Sequence, residues 1–260
     1  MPKYDLHVHT SLSSCAKPEA SAAGYIALAK EMGLTTIAFT DHLWDSAIPG
    51  ASDWYKPQNF EHICQLKKEL PAADPSLKIL FGCETECDMH GTVGVSEEVA
   101  AQLDVLLVPN SHTHMRFVMD RALREDDAAH GLYMVKHFMQ IMESPLAKYI
   151  TAVPHPFSAV GCPTVENVVN LLPTSAIEEC CAAAREKNIA LEINTACFPG
   201  MEGEQIANSA FVRVFQLARE AGCRFTLGSD AHDHAGMRTL PKAEIFTRAA
   251  GITEDMFLVF

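Results

Sequence analysis

The segment YDLHVHTS, residues 4–11, decides how the rest of the chain is interpreted, because it places His7 and His9 two residues apart in an apolar run. Side chains two residues apart on a β-strand project from the same face. Both imidazoles would therefore point to one side of a strand. An isolated H-x-H pair also occurs at polar strand ends, so the remaining sequence must distinguish a metal site from a strand terminus.

Short apolar runs of this kind recur along the chain, and they predict strands buried on both faces. The predicted strands span residues 4–8, 35–39, 78–81, 105–108, 150–153, 190–193 and 224–227. Segments with helical periodicity lie between them, at residues 19–32, 59–70, 122–142, 175–187 and 207–221. This alternation predicts parallel strands joined by right-handed crossovers. No linker-like segment divides the chain, so residues 1–260 are expected to form a single domain.

Polar residues with the chemistry of metal ligands follow most of these strands. They are His7 and His9, Asp41 and His42, Glu84, His112 and His114, His155, Glu192 and Asn194, and Asp230 and His232. In an open sheet only the strand ends near the switch point share a crevice, whereas in a barrel all carboxyl ends of the strands face one mouth. A barrel would gather all of these side chains, and the sequence therefore favours an α/β barrel.

The composition is that of an ordinary globular protein, with 48 % apolar and 20 % charged residues among 260. The net charge of −13 argues against a nucleic-acid duplex or a membrane surface as the main partner, because both are polyanionic. The sequence shows no signal-peptide-like start and no apolar run long enough to cross a bilayer, so a cytoplasmic protein is expected. Nine cysteines without a C-x-x-C pair are expected to be mostly core residues.

Imidazole and carboxylate ligands without a thiolate quartet suit Zn, Mn or Fe. The candidates exceed what one ion needs, so two or three divalent ions are expected at the mouth of the barrel. Each motif also has a simpler interpretation. His155 lies between two prolines and could be a turn residue, Asp41 could cap a helix, and GSDAH at residues 228–232 could be an ordinary strand–helix loop.

Taken in order, the motifs DLHVHT, FTDH, GCETE, SHTH, VPHPF and GSDAH resemble those of the PHP (polymerase and histidinol phosphatase) superfamily, from residue 4 to about residue 235. The resemblance implies a distorted TIM-like (β/α)7 barrel with a trinuclear metal centre at the C-terminal ends of the strands. It also implies metal-dependent hydrolysis of phosphoesters. The implied substrate is a small phosphorylated metabolite similar to histidinol phosphate.

The resemblance further implies how the ligands are divided among three ions, with Glu84 bridging the first two. The implied ligands are His7, His9, Glu84 and Asp230 for the first ion, Glu84, His112 and His155 for the second, and His42 and His232 for the third.

Two positions depart from the family pattern. Many members have a histidine six residues after the H-x-H pair, where this chain has Cys15. The third ion would then be bound by a thiolate that favours zinc, or its site would be weak or empty. The segment NSHTH also offers both His112 and His114 where the family has one ligand. His112, nearer the strand end, is the preferred ligand, and His114 is expected to face the substrate.

Two cations about 3.5–4 Å apart would lower the pKa of a shared water and hold the attacking and leaving oxygens in line, so that metal-activated hydroxide attacks phosphorus. The candidate catalytic residues are therefore Glu84, Asp230 and His114. The leaving group would take its proton from His114, from His234 or from a bound water.

Phosphate oxygens that do not contact metal need a guanidinium or ammonium partner. Arg116, just after the fourth strand, and Lys17, after the first, are the candidate substrate-binding residues. Arg121 and Arg124 follow on the same segment, but pairing such as that of Arg121 with Glu125 favours a solvated helix face.

Two other classes of function remain open. The chain could be an oligonucleotide-directed phosphodiesterase or exonuclease, as other members of the superfamily are, although no basic stripe with interleaved aromatic residues supports nucleic acid as a partner. It could instead be a non-catalytic barrel that binds metal or a metabolite. Substrate specificity would reside in loops such as residues 44–55 and 113–126, whose sequence indicates neither the natural substrate nor an oligomeric state.

Overall fold

A computed structural model describes residues 1–71 and 74–260 of the protein. Seven parallel strands form a sheet in which neighbours along the chain are also neighbours in space. The strands are β1 Tyr4–Val8, β2 Thr36–Phe39, β3 Lys78–Glu84, β4 Val105–Leu107, β5 Ala152–Val153, β6 Ala190–Asn194 and β7 Phe225–Gly228. Nearly all of their residues are buried, which explains why each strand is recognisable as an apolar run.

The sheet closes on itself at the carboxyl end of β1. The backbone N–H of Asp230 donates to the carbonyl of His7 (2.8 Å), and the N–H of His9 donates to the carbonyl of Ala231 (2.9 Å). Val8 and Ala231 form a parallel bridge at the same place. The segment that follows β7 is thus joined to β1, and the predicted distorted (β/α)7 barrel is confirmed.

Helices connect the strands. In the described part of the chain the α-helices are α1 Ala22–Glu31, α2 Phe60–Ile63, α3 Glu97–Ala100, α4 Asp127–Glu143, α5 Val165–Leu171, α6 Thr174–Lys187, α7 Glu204–Ala207, α8 Ala210–Glu220, α9 His234–Met237 and α10 Ala243–Ala250. The hydroxyl of Ser21 caps α1 by accepting a hydrogen bond from the N–H of Gly24 (3.2 Å). The predicted helices over 19–32 and 175–187 are therefore present with slightly shifted ends.

Three predicted helices are interrupted. The helix predicted over 122–142 is wrong at its start, because the carboxylate of Asp126 accepts hydrogen bonds from the N–H groups of Ala128 and Ala129 (2.9 Å each) and begins α4. The preceding turn is a separate 3₁₀-helix, Arg121–Glu125. The segment 59–70 divides into α2 and the 3₁₀-helix Cys64–Lys68, and the segment 207–221 divides between α7 and α8. The remaining helices are too short for periodicity to reveal them.

Two strands differ from the prediction near the mouth of the barrel. The third strand was expected to end at residue 81, but β3 continues to Glu84, so the sheet itself holds this carboxylate. β5 contains only Ala152 and Val153, and it pairs with β4 at a single position, Leu107 opposite Ala152. The chain turns sharply after this strand, and His155 adopts a φ of +31°, a left-handed backbone that is uncommon outside glycine.

Two expectations from composition can be compared with the structure. Five of the nine cysteines are buried, namely Cys83, Cys87, Cys180, Cys181 and Cys223, so most cysteines are core residues as expected. Across residues 1–71 and 74–260, no helix is both long enough and apolar enough to cross a membrane.

Candidate metal centre

The first predicted ligand group assembles inside the mouth of the barrel. The Nε2 atoms of His7 and His9 lie 3.0 Å apart, and Oε2 of Glu84 lies 3.4 Å from each. Oδ1 of Asp230 lies 3.6 Å from Nε2 of His7 and 3.3 Å from Nε2 of His9. Asp230 reaches this position with a left-handed φ of +53° at the seam of the barrel. Four ligand atoms from β1, β3 and the loop after β7 therefore converge.

Glu84 also belongs to a second ligand group. Its other oxygen, Oε1, lies 3.0 Å from Nε2 of His155 and 3.9 Å from Nε2 of His112. All three side chains are buried, and their ligand atoms lie within 4.8 Å of one another. The two oxygens of Glu84 thus face two different groups, as a bridging carboxylate must. His114 belongs to neither group.

His9, His42 and His232 form a third group, with ligand nitrogens within 4.8 Å of one another. The ring centroids of His42 and His232 each lie 4.5 Å from that of His9. Cys15 lines the same cavity as His42 but lies outside this group. Burial, followed by the neighbouring carboxylates, raises the pKa of the Cys15 thiol to about 12. The structure therefore brings the three histidines together without the thiol.

Five of the candidate ligand imidazoles have a hydrogen-bond partner at Nδ1. The Nδ1 partners are both carboxylate oxygens of Glu192 for His7 (3.1 Å), Ser13 Oγ for His9 (3.1 Å), Glu86 Oε1 for His112 (2.6 Å), Ser111 Oγ for His155 (2.6 Å) and the Asp230 carbonyl for His232 (2.8 Å). A hydrogen on Nδ1 leaves the lone pair on Nε2, which faces the other ligands. His42 differs, because its Nδ1 lies 3.3 Å from Oε2 of Glu84.

The charges around the first group fit a metal cation. Burial by itself would lower the pKa of His7, but the carboxylates of Glu192, Asp230 and Glu84 outweigh burial and hold this pKa well above its usual value. Burial also opposes ionisation of Glu84 and Asp230, but His7 and its neighbours hold the pKa of both carboxyls well below the usual range. The Nε2 atoms of His7 and His9 lie 3.0 Å apart, so both could bind one cation once they have lost their protons. This donor set suits a divalent ion.

One buried carboxylate beside the ligand groups, Glu86, was not among the predicted site residues. Its Oε1 accepts hydrogen bonds from the hydroxyl of Tyr55 (2.7 Å) and from Nδ1 of His112 (2.6 Å). The motif GCETE could have indicated that Glu86 lies beside the ligands. Glu84 and Glu86 are two residues apart where β3 ends, a spacing that places side chains on the same face. Glu192 was predicted as one of the polar residues at the strand ends. No sequence pattern indicates its contact with His7 of β1 across the barrel.

Two further carboxylates fix the loops of the mouth. Asp41 caps no helix, and instead accepts hydrogen bonds from the N–H and hydroxyl of Thr10 (2.7 Å each) and from the hydroxyl of Ser13 (2.6 Å). Asp5 accepts from the N–H (2.9 Å) and hydroxyl (2.5 Å) of Ser229, and burial raises its pKa to about 7. Both carboxylates hold the loops that carry metal-ligand candidates.

A cavity of about 640 Å³ opens beside the second and third ligand groups. Arg116 and His114 line it, which is where substrate-facing residues were expected. Lys17 does not line it, because its ammonium forms an ion pair with Asp233 (2.5 Å). Arg121 lines a different groove. Of the two predicted phosphate-binding cations, the structure places only Arg116 at the cavity.

The two histidines considered as proton donors differ in position. His114 lines the cavity, and burial followed by the charge of His112 lowers its pKa to about 4. Its ring is therefore neutral at neutral pH and offers a single N–H. His234 packs edge-on against Tyr25, with ring centroids 4.7 Å apart, outside the cavity.

Residues 5–196 match the PHP domain family, and this span contains every ligand candidate except Asp230 and His232. The chain belongs to the PHP domain family. The motifs from DLHVHT to VPHPF lie within this match, and GSDAH follows it in the chain.

Relatives and solved structures resemble this PHP-family chain along most of its length. A probable phosphatase of Clostridium novyi (strain NT) is 26 % identical over 231 residues, which cover 88 % of this chain and 80 % of the relative. A probable phosphatase of Shewanella sp. (strain ANA-3) is 26 % identical over 255 residues, which cover 98 % and 86 %.

Two solved structures share the fold. The histidinol phosphate phosphatase of Lactococcus lactis subsp. lactis, complexed with zinc, L-histidinol and phosphate, has a TM-score of 0.64 at 18 % identity, over 96 % of this chain and 94 % of that chain. The putative histidinol phosphatase of Listeria monocytogenes has a TM-score of 0.63 at 16 % identity, over 90 % and 97 %.

Proposed function

We propose that this PHP-family chain is a metal-dependent phosphomonoesterase that hydrolyses a small phosphorylated metabolite. One observation carries the proposal: imidazoles held through Nδ1 direct their Nε2 atoms, together with Glu84 and Asp230, into adjoining ligand groups. Nitrogen and oxygen donors of this kind suit Zn, Mn or Fe. The relatives named probable phosphatases support phosphate-ester hydrolysis, and the Lactococcus lactis enzyme bound to L-histidinol and phosphate supports a small substrate.

Two or three divalent ions would be held at the mouth of the barrel, which we propose is formed by residues 1–260 as one domain. The proposed ligands are His7, His9, Glu84 and Asp230 for the first ion, Glu84, His112 and His155 for the second, and His42 and His232 for the third. When bound, such ions lower the pKa of water and neutralise phosphate oxygens. Cys15 remains a candidate ligand of the third ion, although its sulfur lies outside that group.

The chain's own residues would orient the ligands and bind the substrate. Glu192 and Glu86 fix the rings of His7 and His112. Arg116 lines the cavity without an ion pair among the described residues, so its guanidinium is available to phosphate oxygens.

His114 would donate a hydrogen bond from its single N–H to the leaving-group oxygen, because its pKa is lowered to about 4 and the ring is neutral. The proton that the alcohol takes up would then come from water. Lys17, already paired with Asp233, would contribute less than Arg116 to phosphate binding.

A nuclease and a non-catalytic binder are the competing functions. The net charge of −13 argues against a polyanionic nucleic acid. Two buried carboxylates among oriented imidazoles argue for catalysis rather than storage of a metabolite.

The deciding experiment is turnover of p-nitrophenyl phosphate by protein loaded with Zn²⁺, Mn²⁺ or Fe²⁺, with metal content measured by elemental analysis. Release of phosphate only from the loaded protein is the expected result, and a 5′-labelled oligonucleotide should stay intact. No turnover by fully loaded protein would favour a binder, and degradation of the oligonucleotide would favour a nuclease.

A further inference from the structure

The cavity beside the metal centre has an aromatic wall. Trp54 lines it and is 37 % exposed, although large apolar side chains are mostly buried in this protein. The Trp54 ring stands edge-on to the ring of Tyr55, with centroids 4.7 Å apart and an angle of 84°. It also stands edge-on to His42 at 5.1 Å. An exposed indole fixed on two sides is suited to contact a ligand.

Phe117 forms a second part of this wall from a different loop. Its ring stands edge-on to Tyr55 (6.0 Å, 86°) and to Trp44 (5.7 Å, 81°). Tyr55 is fully buried and donates its hydroxyl hydrogen to Glu86. Because one anchored phenol supports both Trp54 and Phe117, the two rings are held in place before any ligand binds.

The cavity wall carries a positive charge, that of Arg116. Arg116 lines it and makes no ion pair or hydrogen bond with any residue in the ranges 1–71 and 74–260, and no carboxylate from these ranges belongs to the wall. Asp53, the acidic neighbour of Trp54, is exposed to solvent and pairs with Lys56 (2.6 Å). An ammonium group on the part of the substrate that lies against Trp54 and Phe117 would therefore meet Arg116 and no carboxylate of the cavity wall.

We propose that the substrate is a phosphate monoester of a bulky, uncharged aromatic alcohol, with its ring against Trp54 and Phe117. This inference rests on the proposed function and narrows its substrate class. Water would supply the oxygen that joins phosphorus and the proton that leaves with the alcohol, so the products are inorganic phosphate and the free alcohol. Amine-bearing esters, in which an ammonium adjoins the phosphate-bearing carbon chain, are poor substrates.

The test compares three esters with a common ethyl core: 2-phenylethyl phosphate, ethyl phosphate and 2-aminoethyl phosphate. With metal-loaded protein, kcat/KM should be at least about tenfold higher for 2-phenylethyl phosphate than for the other two, because only its phenyl ring can bury apolar surface against Trp54 and Phe117. Equal values for the phenyl and ethyl esters, or preference for the amine, would overturn the inference while leaving a phosphatase. Failure of all three esters with full metal content would overturn the proposed function as well.

Variants of the two wall residues test whether they cause the preference for the phenyl ester. Trp54→Ala and Phe117→Ala should each lose about tenfold in kcat/KM for 2-phenylethyl phosphate, with little change for ethyl phosphate and with unchanged metal content. Trp54→Phe should restore most of the loss. Leu132→Ala, which removes an exposed apolar side chain of α4 outside the cavity, is the matched control and should behave as wild type. Equal losses for both esters in Trp54→Ala and Phe117→Ala would contradict an aromatic binding wall.

Discussion

Nδ1 of His7 lies 3.1 Å from both carboxylate oxygens of Glu192, so β1 and β6 are joined across the interior of the barrel. Glu192 also accepts hydrogen bonds from the N–H of His155 (3.2 Å) and from the side chain of Asn194 (2.8 Å). Gly228 on the intervening strand leaves the room for this contact, since a Cβ there would lie 2.2 Å from Oε1 of Glu192. One carboxylate thus positions residues of two ligand groups.

Glu192→Gln should weaken metal binding without removing a proposed ligand. The amide can still accept a hydrogen bond, but it lacks the charge that orients and polarises His7, so metal affinity should fall about 10- to 100-fold. Competition with a chelator of known affinity measures the loss. Glu98→Gln, at an exposed position on α3, is the control. Equal affinities for the two variants would show that the His7–Glu192 contact does not tune the site.

Removal of metal should abolish phosphatase activity. Dialysis against a chelator is expected to eliminate turnover, and Zn²⁺, Mn²⁺ or Fe²⁺ should restore it, because the proposed nucleophile is a hydroxide that the bound ions would activate. Rates and elemental analysis are to be measured on the same samples. Full activity in a sample shown to be metal-free would rule out the mechanism.

Glu84→Gln should lose metal as well as rate. Its two oxygens face separate ligand groups, so the substitution weakens both proposed sites at once. Asp230→Asn should have a smaller effect on stoichiometry, since Asp230 is a proposed ligand of the first ion alone, whereas Glu84 is a proposed ligand of two. Metal counting after gel filtration distinguishes them. A Glu84→Gln protein that retains the wild-type number of ions would refute the bridging role.

Arg116→Ala should mainly raise KM. A guanidinium that binds phosphate equally in the ground and transition states contributes to binding, and charge-assisted hydrogen bonds of about 1.5–3 kcal/mol correspond to a rise of roughly tenfold or more. Arg121→Ala is the matched control, because Arg121 lines a separate groove. A fall in kcat at unchanged KM would instead assign Arg116 to the transition state.

Cys15→Ser tests the third site. Since His9, His42 and His232 group together without the thiol, we expect the variant to bind as much zinc as wild type. Anomalous scattering at the zinc edge, or elemental analysis of both proteins, measures this. The loss of one ion would instead establish Cys15 as a ligand, as its place in the loop after β1 suggests.

The strands could be predicted from sequence because burial on both faces leaves an uninterrupted apolar run. The prediction for residues 4–8 coincides with β1, Tyr4–Val8. Helix boundaries were harder to predict from sequence, since a single capping side chain can determine where a helix begins. Asp126 ends one helical segment and begins the next through two hydrogen bonds that periodicity does not record.

The candidate ligands could be predicted because each follows a strand, and a barrel brings all strand ends together. Glu84, His112 and His155 come from three different strands and still form one group. The residues around them could not be found in this way. The contact of Glu86 with Tyr55 joins two segments whose approach depends on loop conformation, which short sequence patterns do not encode.

The contact between β1 and the segment after β7 also determines when the barrel can close and bind metal during synthesis. His7 and His9 leave the ribosome long before Asp230 and the backbone groups that close the ring. A nascent chain that stops before Gly228 has two imidazoles of the first group but neither its second carboxylate nor a closed barrel. We therefore expect metal uptake to follow synthesis of the segment after β7, so that acquisition of the ions indicates that the barrel has closed.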